Sequence, residues 1–346
     1  MSIPEKMSGV RLTGHGGPET LVWSDDIPVP SPRADEVLVK VLAAGVNPTD
    51  INTRVGWYAR DAAAEGGGWD GALDFPRIQG GDLCGRVVAL GANVQGIDLG
   101  ARVICPINQA EPTPENPMGF VALGSEYDGA FAEYCCVPAR HLFDVTLSPL
   151  SDVEIGGMPC AYGTAHNLLT RSGVAAGDSV LITGASGGVG YAAVQLALLR
   201  GAKVTAQCTA AKSAHVMATG ATVIDREAVL VAGAFDIVID IVGGPRWMER
   251  LDALRPGGRY ATSGAIAGPM VEADLRTIYL HDLTIFGCTH QSPETFAALV
   301  EIINAGSVRP LISKTYPLRD IGRAQQELQS GTHPGKLVLL PCGGAS

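Results

Sequence analysis

Short apolar runs between glycine and proline residues characterise the first 150 residues of the chain. Two of these runs, at 36–42 and 85–90, have the length and composition of β-strands. Beyond residue 150 the pattern changes, because short apolar runs alternate with segments of helical periodicity. Strands are predicted near 179–183, 203–208, 222–225, 235–240, 258–262 and 283–287, and helices near 187–200, 210–219 and 244–254. This alternation predicts a parallel sheet with helices on both faces.

The pattern divides the chain into a β-rich domain at 1–150, an alternating α/β domain at 151–288 and a C-terminal segment at 289–346. That segment contains predicted helices near 293–305 and 318–330 and a predicted strand at 336–340, and we expect it to pack back on the first domain. Two stretches, 59–75 and 106–128, are predicted to be long loops. Loops of this length are either functional lids or surface insertions.

Composition narrows the class of protein. The chain has 346 residues, 46% of them hydrophobic, and no apolar run of the length that spans a membrane. No signal segment precedes the first strand, so we expect a cytoplasmic protein without a membrane partner. The net charge of −10 argues against nucleic acid as a partner. The eight scattered cysteines favour reduced thiols over a disulfide framework.

A glycine-rich turn follows the strand predicted at 179–183. It departs from G-x-G-x-x-G only in its first residue and reads Ala185-Ser186-Gly187-Gly188-Val189-Gly190. Gly187 would let the backbone approach a pyrophosphate, and Gly190 would allow the next helix to pack closely on the sheet. Free N–H groups at the start of that helix would bind phosphate. The order strand, turn, helix therefore favours a dinucleotide site in a Rossmann doubly wound sheet over an ordinary tight turn.

The second predicted strand of this domain bears on the choice between NAD and NADP. An NAD site usually has an acidic residue at the end of that strand to hold the ribose 2′-OH. Here the strand ends at Cys208, and Lys212 and Arg226 follow as candidate ligands of a 2′-phosphate, although both could be solvated surface charges. We therefore expect NADP(H). Residues after the later strands are expected to line the nicotinamide side: Val242, Ser263, Gly264, Phe286 and Cys288.

Several ordered motifs carry a family resemblance across nearly the whole chain: Ala43–Asn52, Gly56–Tyr58, Gly80–Gly85, Tyr127–Tyr134 and His333–Leu339. With the glycine turn they resemble the medium-chain dehydrogenase/reductase superfamily, and within it the zinc-free quinone oxidoreductase (zeta-crystallin-like) branch. The resemblance implies a GroES-like substrate domain, a Rossmann domain and a homodimer or homotetramer. The chain departs from the family in the length of the loop after Tyr58 and in a short segment between Arg226 and Phe235, where a helix is expected to be lost or truncated.

The resemblance also bears on metal binding. Zinc alcohol dehydrogenases of this superfamily have Cys where this chain has Asn47, and His-Glu where it has Gly81-Asp82. Their structural zinc uses four closely spaced cysteines, and the corresponding loop here has only Cys105. A catalytic zinc needs three protein ligands. We therefore expect neither zinc site.

Without a metal to stabilise an alkoxide, an activated hydride acceptor is favoured over a simple alcohol. We expect a reductase of quinones or of α,β-unsaturated carbonyls, or alternatively of 2-enoyl thioesters. Resemblance to zinc-free enoyl thioester reductases makes Tyr58 the candidate acid, with a pocket-wall role as its alternative. Asn47 could bind substrate or the nicotinamide ribose, or simply form a turn before Pro48. The resemblance implies that Thr164, which matches a threonine that contacts the nicotinamide in relatives, reaches the cofactor. Lys336 follows a glycine in the closing motif and is also expected to reach the cofactor, although it could instead be a strand-edge lysine.

Other function classes remain open at this level. Basic residues at a pocket mouth would favour a coenzyme A thioester, and Arg54, Arg60 and Arg77 are available among several acidic residues. A non-catalytic NADPH-binding protein is a different class, against which the intact glycine turn argues. A zinc alcohol dehydrogenase would require metal ligands that this sequence does not supply.

Overall fold

The computed structural model describes residues 3–58 and 73–341. The chain divides into two compact units, and each is described by itself. Unit 1 comprises Met1–Cys160 and Ser292–Ser346, and unit 2 comprises Ala161–Gln291. The β-rich domain expected to end at residue 150 thus extends to Cys160, and the C-terminal segment expected from residue 289 rejoins unit 1 at Ser292.

The described N-terminal part of unit 1 is mostly strands. Its elements are β1 (Lys6–Leu12), β2 (Leu21–Pro28), β3 (Glu36–Val46), α1 (Pro48–Arg54), β4 (Cys84–Leu90), β5 (Arg102–Ile104), β6 (Asn108–Ala110), β7 (Phe120–Ala122), β8 (Tyr134–Pro138), β9 (Phe143–Asp144) and α2 (Asp152–Gly156). Short 3-10 helices lie at Pro18–Thr20 and Ala139–His141.

Unit 2 alternates strands and helices. Helix α3 (Pro159–Arg171) begins at the end of unit 1 and continues into unit 2. The elements that follow are β10 (Ser179–Ile182), α4 (Gly188–Leu199), β11 (Lys203–Cys208), a 3-10 helix (Ala210–Lys212), α5 (Ser213–Met217), β12 (Thr222–Asp225), β13 (Phe235–Asp240), α6 (Trp247–Asp252), β14 (Leu254–Thr262), α7 (Leu275–Leu280) and β15 (Thr284–Gly287).

The strands of unit 2 form a parallel sheet in the order β12-β11-β10-β13-β14-β15. The chain thus starts in the middle of the sheet, builds outward to one edge, and crosses to the other side at β13. The crossing between β10 and β13 is the switch point at which doubly wound sheets bind ligands, at the carboxyl ends of the strands. Strand β13 is almost wholly buried, as expected for a parallel strand covered on both faces.

The C-terminal segment completes unit 1. It contains α8 (Pro293–Asn304), β16 (Ile312–Pro317), a 3-10 helix (Leu318–Asp320), α9 (Ile321–Ser330) and β17 (Lys336–Leu340). Strand β17 pairs with β3 in antiparallel register, with Leu337 opposite Val46 and Leu339 opposite Ala44. This pairing places Lys336, the first residue of β17, beside the end of β3.

The main sheet of unit 1 runs β16-β17-β3-β4-β5-β9, with β8 also paired to β3. Its central strand β3 is buried along nearly its whole length, because side chains from both faces enter packed layers. The core of the unit includes valines of β3 together with Val137 of β8 and leucines of β17. This burial makes the end of β3 a rigid platform for the residues that follow it.

The expected fold class is confirmed: a parallel α/β sheet accompanies a β-rich GroES-like domain. Strands β11, β12, β13 and β17 begin and end where the apolar pattern predicts. The chain runs from β12 to β13 without a helix, which confirms the expected loss at 226–235. No helix among the described residues is both long and apolar enough to cross a bilayer.

The stretch 106–128, predicted to be a long loop, contains two short strands. Strands β6 and β7 pair in antiparallel register there, and Glu111 anchors the hairpin to Arg140 and His141 of the same unit. Four prolines concealed these three-residue strands, because proline normally interrupts a ladder. The other expected loop, 59–75, falls largely on residues 59–72, which lie outside the described residues.

Candidate active site

A buried cluster of charged and polar side chains lies where β3 ends in unit 1. The Lys336 ammonium donates to the backbone oxygen of Val46 at 3.0 Å, to Asn47 Oδ1 at 2.5 Å and to Asp82 Oδ2 at 3.0 Å. Asn47 Nδ2 in turn donates to Asp82 Oδ2 at 2.9 Å. Lys336 is 5% exposed, Asn47 3% and Asp82 0%. The three side chains therefore form a closed, water-excluded network.

Local sequence explains why Asn47 lies at this point. Asn47 is the N-cap residue of α1, and Pro48 occupies the first helical position, where a missing N–H costs nothing. Asp50, in the first turn, accepts the Asn47 backbone N–H at 2.7 Å. Gly45 is needed because a Cβ there would lie 2.2 Å from Asp82 Oδ2. The turn from strand to helix is thus specified by its own residues.

The second oxygen of Asp82 is also bonded. Asp82 Oδ1 accepts the backbone N–H of Cys160 at 2.6 Å, at the start of α3. A carboxylate near a helix N-terminus is stabilised by the free N–H groups there. Asp82 therefore connects the end of β3, the start of α3 and the start of β17.

The cluster contains a second buried carboxylate, that of Asp50. The pKa of Asp50 is raised from 3.8 to about 7, mainly by burial and also by the neighbouring charge of Asp82, whereas the Asn47 N–H and the Lys336 ammonium lower it. Two carboxylates thus share one ammonium in a site without solvent. Asp50 is the member that takes up a proton near neutral pH.

Tyr58 lies just after α1 and is held by two residues of that helix. Its hydroxyl donates to Thr49 Oγ1 at 3.2 Å and lies 3.4 Å from Asn52 Nδ2. The ring packs edge-on against Trp57, with 5.0 Å between ring centroids. Burial raises the pKa of the Tyr58 hydroxyl, so it stays protonated at neutral pH. A protonated, oriented hydroxyl can donate a hydrogen bond or a proton to a carbonyl substrate.

The sequence motifs predict Tyr58, Asn47 and Lys336 as site residues but do not predict the residues that hold them. Thr49 and Asn52 bond the Tyr58 hydroxyl, and Asp82, which the motifs indicate only as a zinc-ligand position, bonds Lys336. Their spacing before Tyr58 places Thr49 and Asn52 on one face of a helix, three residues apart, which is a signal that could have been used. No local signal connects Asp82 to Lys336.

In unit 2, the glycine turn adopts the geometry that its sequence predicts. Helix α4 begins at Gly188 with Gly187 as its N-cap, and Gly184 has a φ of +58°. A Cβ at Gly190 would lie 2.2 Å from the Gly184 carbonyl oxygen, so only glycine allows this helix to approach its strand. The N–H groups at Gly188, Val189 and Gly190 belong to the first turn and have no acceptor within the helix. The turn fits a pyrophosphate.

A buried carboxylate supports the neighbouring turn of unit 2. Asp240, at the end of β13, accepts bonds from the backbone N–H groups of Val242 and Gly243 at 2.8 and 3.2 Å. It also accepts the Thr183 hydroxyl at 2.6 Å, which belongs to the start of the glycine turn. Arg250 and Tyr260 bond its other oxygen at 2.7 and 2.5 Å. Asp240 therefore ties together the two turns at the switch point.

The residues predicted to select NADP have acidic as well as basic neighbours. Cys208 is buried at the end of β11, opposite Asp225 of β12. Burial and the Asp225 charge raise the pKa of the Cys208 thiol. Burial lowers the pKa of Lys212, as does the nearby charge of Arg226. Arg226 is exposed and pairs with Glu227 at 3.1 Å.

The other expected cofactor residues all lie in unit 2. Val242, Ser263 and Gly264 follow strands of the parallel sheet, Phe286 lies within β15, and all four are half-buried. Cys288 is buried, and its N–H donates to the Thr262 backbone oxygen at 2.9 Å. Thr164 lies half-buried on α3, and Ser186 in the glycine turn.

The alcohol dehydrogenase GroES-like domain matches residues 33–147, and the zinc-binding dehydrogenase family matches 216–339. The quinone oxidoreductase of Lama guanicoe is 30% identical, with 96% of this chain and 97% of the relative covered. The chain belongs to the medium-chain dehydrogenase/reductase superfamily, in its quinone oxidoreductase-like branch.

Two further medium-chain relatives indicate how wide the chemistry of such chains is. The acryloyl-coenzyme A reductase of Sulfurisphaera tokodaii is 28% identical, with 94% of this chain and 98% of the relative covered. A candidate alcohol dehydrogenase from Sinorhizobium meliloti 1021 has a solved structure that is 40% identical, with a TM-score of 0.88 and with 98% of this chain and 97% of that chain covered. This medium-chain protein is accordingly an oxidoreductase whose fold binds NAD or NADP.

Because one matching family is described as zinc-binding, the residues of this medium-chain member must be tested against a metal. Among residues 3–58 and 73–341, no group of three or more His, Cys, Asp and Glu side chains is arranged to hold one. The oxygens of Asn47 and Asp82 are bonded to an ammonium, whose positive charge repels a divalent ion. The side chains of Asn47 and Asp82 therefore do not fit a zinc ion.

Proposed function

We propose that this protein is a zinc-independent, NADPH-dependent reductase that transfers hydride to a quinone or to the C=C bond of an α,β-unsaturated carbonyl. The observation that carries the proposal is the Lys336–Asn47–Asp82 network, in which an ammonium lies among the oxygens instead of a metal. A site without a Lewis acid suits an acceptor that is already activated. Quinones and enones are such acceptors, since the negative charge that hydride addition creates is delocalised onto oxygen.

Tyr58 is the proposed proton donor or hydrogen-bond donor to the substrate carbonyl. Its hydroxyl is protonated at neutral pH and is oriented by Thr49 and Asn52. NADPH would supply the hydride when bound to the first-turn N–H groups of α4. Asn47 has a structural role in this proposal, since both of its side-chain polar atoms bond within the cluster.

NADPH is preferred to NADH in this proposal because of two cations near the end of β11. The charge of Arg226 lowers the pKa of Lys212, and a 2′-phosphate that contacted both cations would be bound more tightly than a ribose hydroxyl. Asp225 and Glu227 lie in the same neighbourhood and would oppose it. We expect the cations to prevail because Cys208, instead of an acid, ends the strand that normally binds the ribose.

A screen of NADPH oxidation tests the function. Quinones, 2-alkenals, enones and 2-enoyl thioesters would be compared as acceptors, and simple alcohols would be tested with NADP+. The proposal expects turnover with quinones or enones that withstands treatment with a zinc chelator. Alcohol oxidation that is lost on chelation and restored by zinc would contradict it.

Tyr58→Phe tests the residue at the centre of the reaction. Loss of the hydroxyl is expected to lower kcat roughly a hundredfold while leaving the Kd for NADPH within threefold. Trp57→Phe is the matched control, because Trp57 packs on Tyr58 without a hydroxyl of its own. Unchanged turnover in Tyr58→Phe would leave this tyrosine as a pocket wall.

Fluorescence titration tests the cofactor. The wild type is expected to bind NADPH at least tenfold more tightly than NADH, and Lys212→Ala with Arg226→Ala is expected to remove that difference. Arg276→Ala, an exposed cation elsewhere in unit 2, is the control. Equal affinities in the wild type would refute the preference.

A second candidate activity is the reduction of 2-enoyl thioesters. It is favoured by the acryloyl-coenzyme A reductase that the chain resembles at 28% identity. The acceptor screen decides between the two, since a thioester reductase would show a kcat/KM for 2-enoyl-coenzyme A well above that for the free enone.

We also propose that the protein forms a homodimer or a homotetramer, which light scattering would detect.

A further inference from the structure

The Lys336 ammonium has used all of its hydrogen-bonding capacity inside unit 1. An ammonium has three donors, and Lys336 points one each at Val46 O, Asn47 Oδ1 and Asp82 Oδ2. A contact with a cofactor phosphate would require one of these buried bonds to break. The geometry is that of an internal cation coordinated by three oxygens.

Charge balance explains why an ammonium is held there. Asp82 is fully buried and Asp50 nearly so, and both lie in the same cluster. Burying two carboxylates without a cation would be costly, and the ammonium is the positive group that bonds to Asp82. Removing Lys336 would leave Asp82 as an uncompensated buried charge.

The cluster is connected to Tyr58 through helix α1. Lys336 fixes the Asn47 side chain, and Asn47 is the N-cap from which α1 starts. The first two turns of α1 carry Thr49 and Asn52, which bond the Tyr58 hydroxyl. A displaced N-cap would therefore shift the groups that aim this hydroxyl.

We propose that Lys336 is a positioning residue: its ammonium is a built-in cation that holds Asn47 and Asp82 in place, and through α1 it orients Tyr58. It acts without touching the cofactor. The stabilising part of this proposal stands on the geometry of unit 1 alone, whereas its catalytic consequence rests on the proposed function.

A double-mutant cycle tests the proposal, with Lys336→Met, Asp82→Asn and their combination. Each single variant breaks a buried pair and is expected to lower Tm by roughly 10 °C. The double variant removes both charges and is expected to recover at least half of the loss in Lys336→Met. Lys314→Met is the matched control, since Lys314 forms an exposed pair with Glu327 and its loss should leave Tm unchanged.

Cofactor affinity and turnover separate this role from a direct cofactor contact. In the double variant the Kd for NADPH is expected to stay within threefold of the wild type while kcat falls at least tenfold. A double variant no more stable than Lys336→Met overturns the internal pairing. Binding of NADPH weakened more than tenfold in the folded double variant shows a cofactor contact instead, and an unchanged kcat there overturns the positioning role.

Failure of the proposed function would look different. A wild type that reduces neither quinones nor enones would refute the reductase, whereas the Tm cycle needs no substrate and would still decide whether Lys336 and Asp82 are coupled. The two proposals can therefore fail separately.

Discussion

Both units contain a fully buried carboxylate paired with a buried cation, but the two differ in charge balance. In unit 2, Asp240 faces the guanidinium of Arg250, and four neutral donors complete its shell: two hydroxyls and two backbone N–H groups. In unit 1, Asp82 faces the ammonium of Lys336, and Asp50 adds a second carboxylate to the same cluster. The buried network of unit 2 therefore has one carboxylate for one cation and is matched in charge. The buried network of unit 1 has two carboxylates for one cation and carries an excess of negative charge.

The two networks differ in function because they differ in how completely their carboxylates are paired. A buried carboxylate with five donors has its lone pairs satisfied, which makes Asp240 a rigid node between the turns at Thr183 and Val242. An unmatched carboxylate responds by raising its pKa, as Asp50 does. The network of unit 2 thus supports a backbone shape, whereas that of unit 1 can take up or release a proton close to Tyr58.

The largest expected effect comes from breaking the matched network. Asp240→Ala should lower the free energy of unfolding by about 5 kcal/mol, because the buried Arg250 guanidinium and four further donors lose their acceptor. Guanidinium chloride unfolding measures it. Asp252→Ala, an exposed carboxylate on α6, should change stability by no more than about 0.5 kcal/mol. A loss below 1 kcal/mol in Asp240→Ala would show that the network is dispensable.

The pH dependence of stability should expose the unmatched charge of unit 1. The folded-state pKa of Asp50 is raised from 3.8 to about 7, so its contribution is fully present below pH 3.8 and is lost as pH rises through about 7. The loss is about 4 kcal/mol by the free energy of such a shift. Asp82 and Lys336 are the charged groups that face it.

Asp50→Asn removes this titration while keeping an oxygen for the Asn47 N–H. Its stability relative to the wild type should therefore rise between pH 5 and pH 8, as measured by unfolding at each pH. Parallel stability profiles of the two proteins would contradict the assignment of the titration to Asp50.

A smaller effect is expected from removing one donor of the matched network. Tyr260→Phe takes away the hydroxyl that bonds Asp240 at 2.5 Å and should cost about 1–2 kcal/mol. Arg250 and Thr183 continue to bond the carboxylate. Tyr279→Phe, an exposed tyrosine on α7, serves as the control. A cost equal to that of Asp240→Ala would mean that the network fails as a unit.

The smallest effect should come from an exposed pair in the same unit. Arg276 pairs with Asp274 at 2.6 Å, and both side chains are open to solvent. Arg276→Ala should leave Tm unchanged within experimental error, because water screens such pairs. A measurable loss would show that burial is not what separates the strong pairs from the weak ones.

Much of the fold was predictable because local patterns determine it. The bounds of β11, β12 and β13 follow from apolar runs that end at polar residues, and α4 follows from the glycine turn. Strand β14 was predicted too short, since its start at Leu254 is followed by Pro256, Gly257 and Gly258, which normally end a strand. The pairing with β13 jumps from Leu254, opposite Phe235, to Arg259, opposite Ile237, so the ladder resumes only after this segment.

The candidate site was predictable only in part. Tyr58 and Asn47 belong to one short stretch, so their proximity follows from a strand that leads into a helix. The partners of Lys336 could not be found in this way, because Lys336 and Asp82 are 254 residues apart. Asp240 likewise draws its five donors from the glycine turn, β14, α6 and the turn that follows β13.

The alternation of strands and helices and the glycine turn follow from local sequence, because each depends on a few neighbouring residues. The residue types at the positions of the zinc ligands can likewise be read from the sequence directly. The return of β17 to β3, which brings the Lys336 ammonium to Asn47 and Asp82, depends on the three-dimensional packing of unit 1. Burying a charge is costly unless an oppositely charged group lies beside it, and here the two groups come from distant parts of the chain. Their pairing therefore depends on the packing of the whole unit.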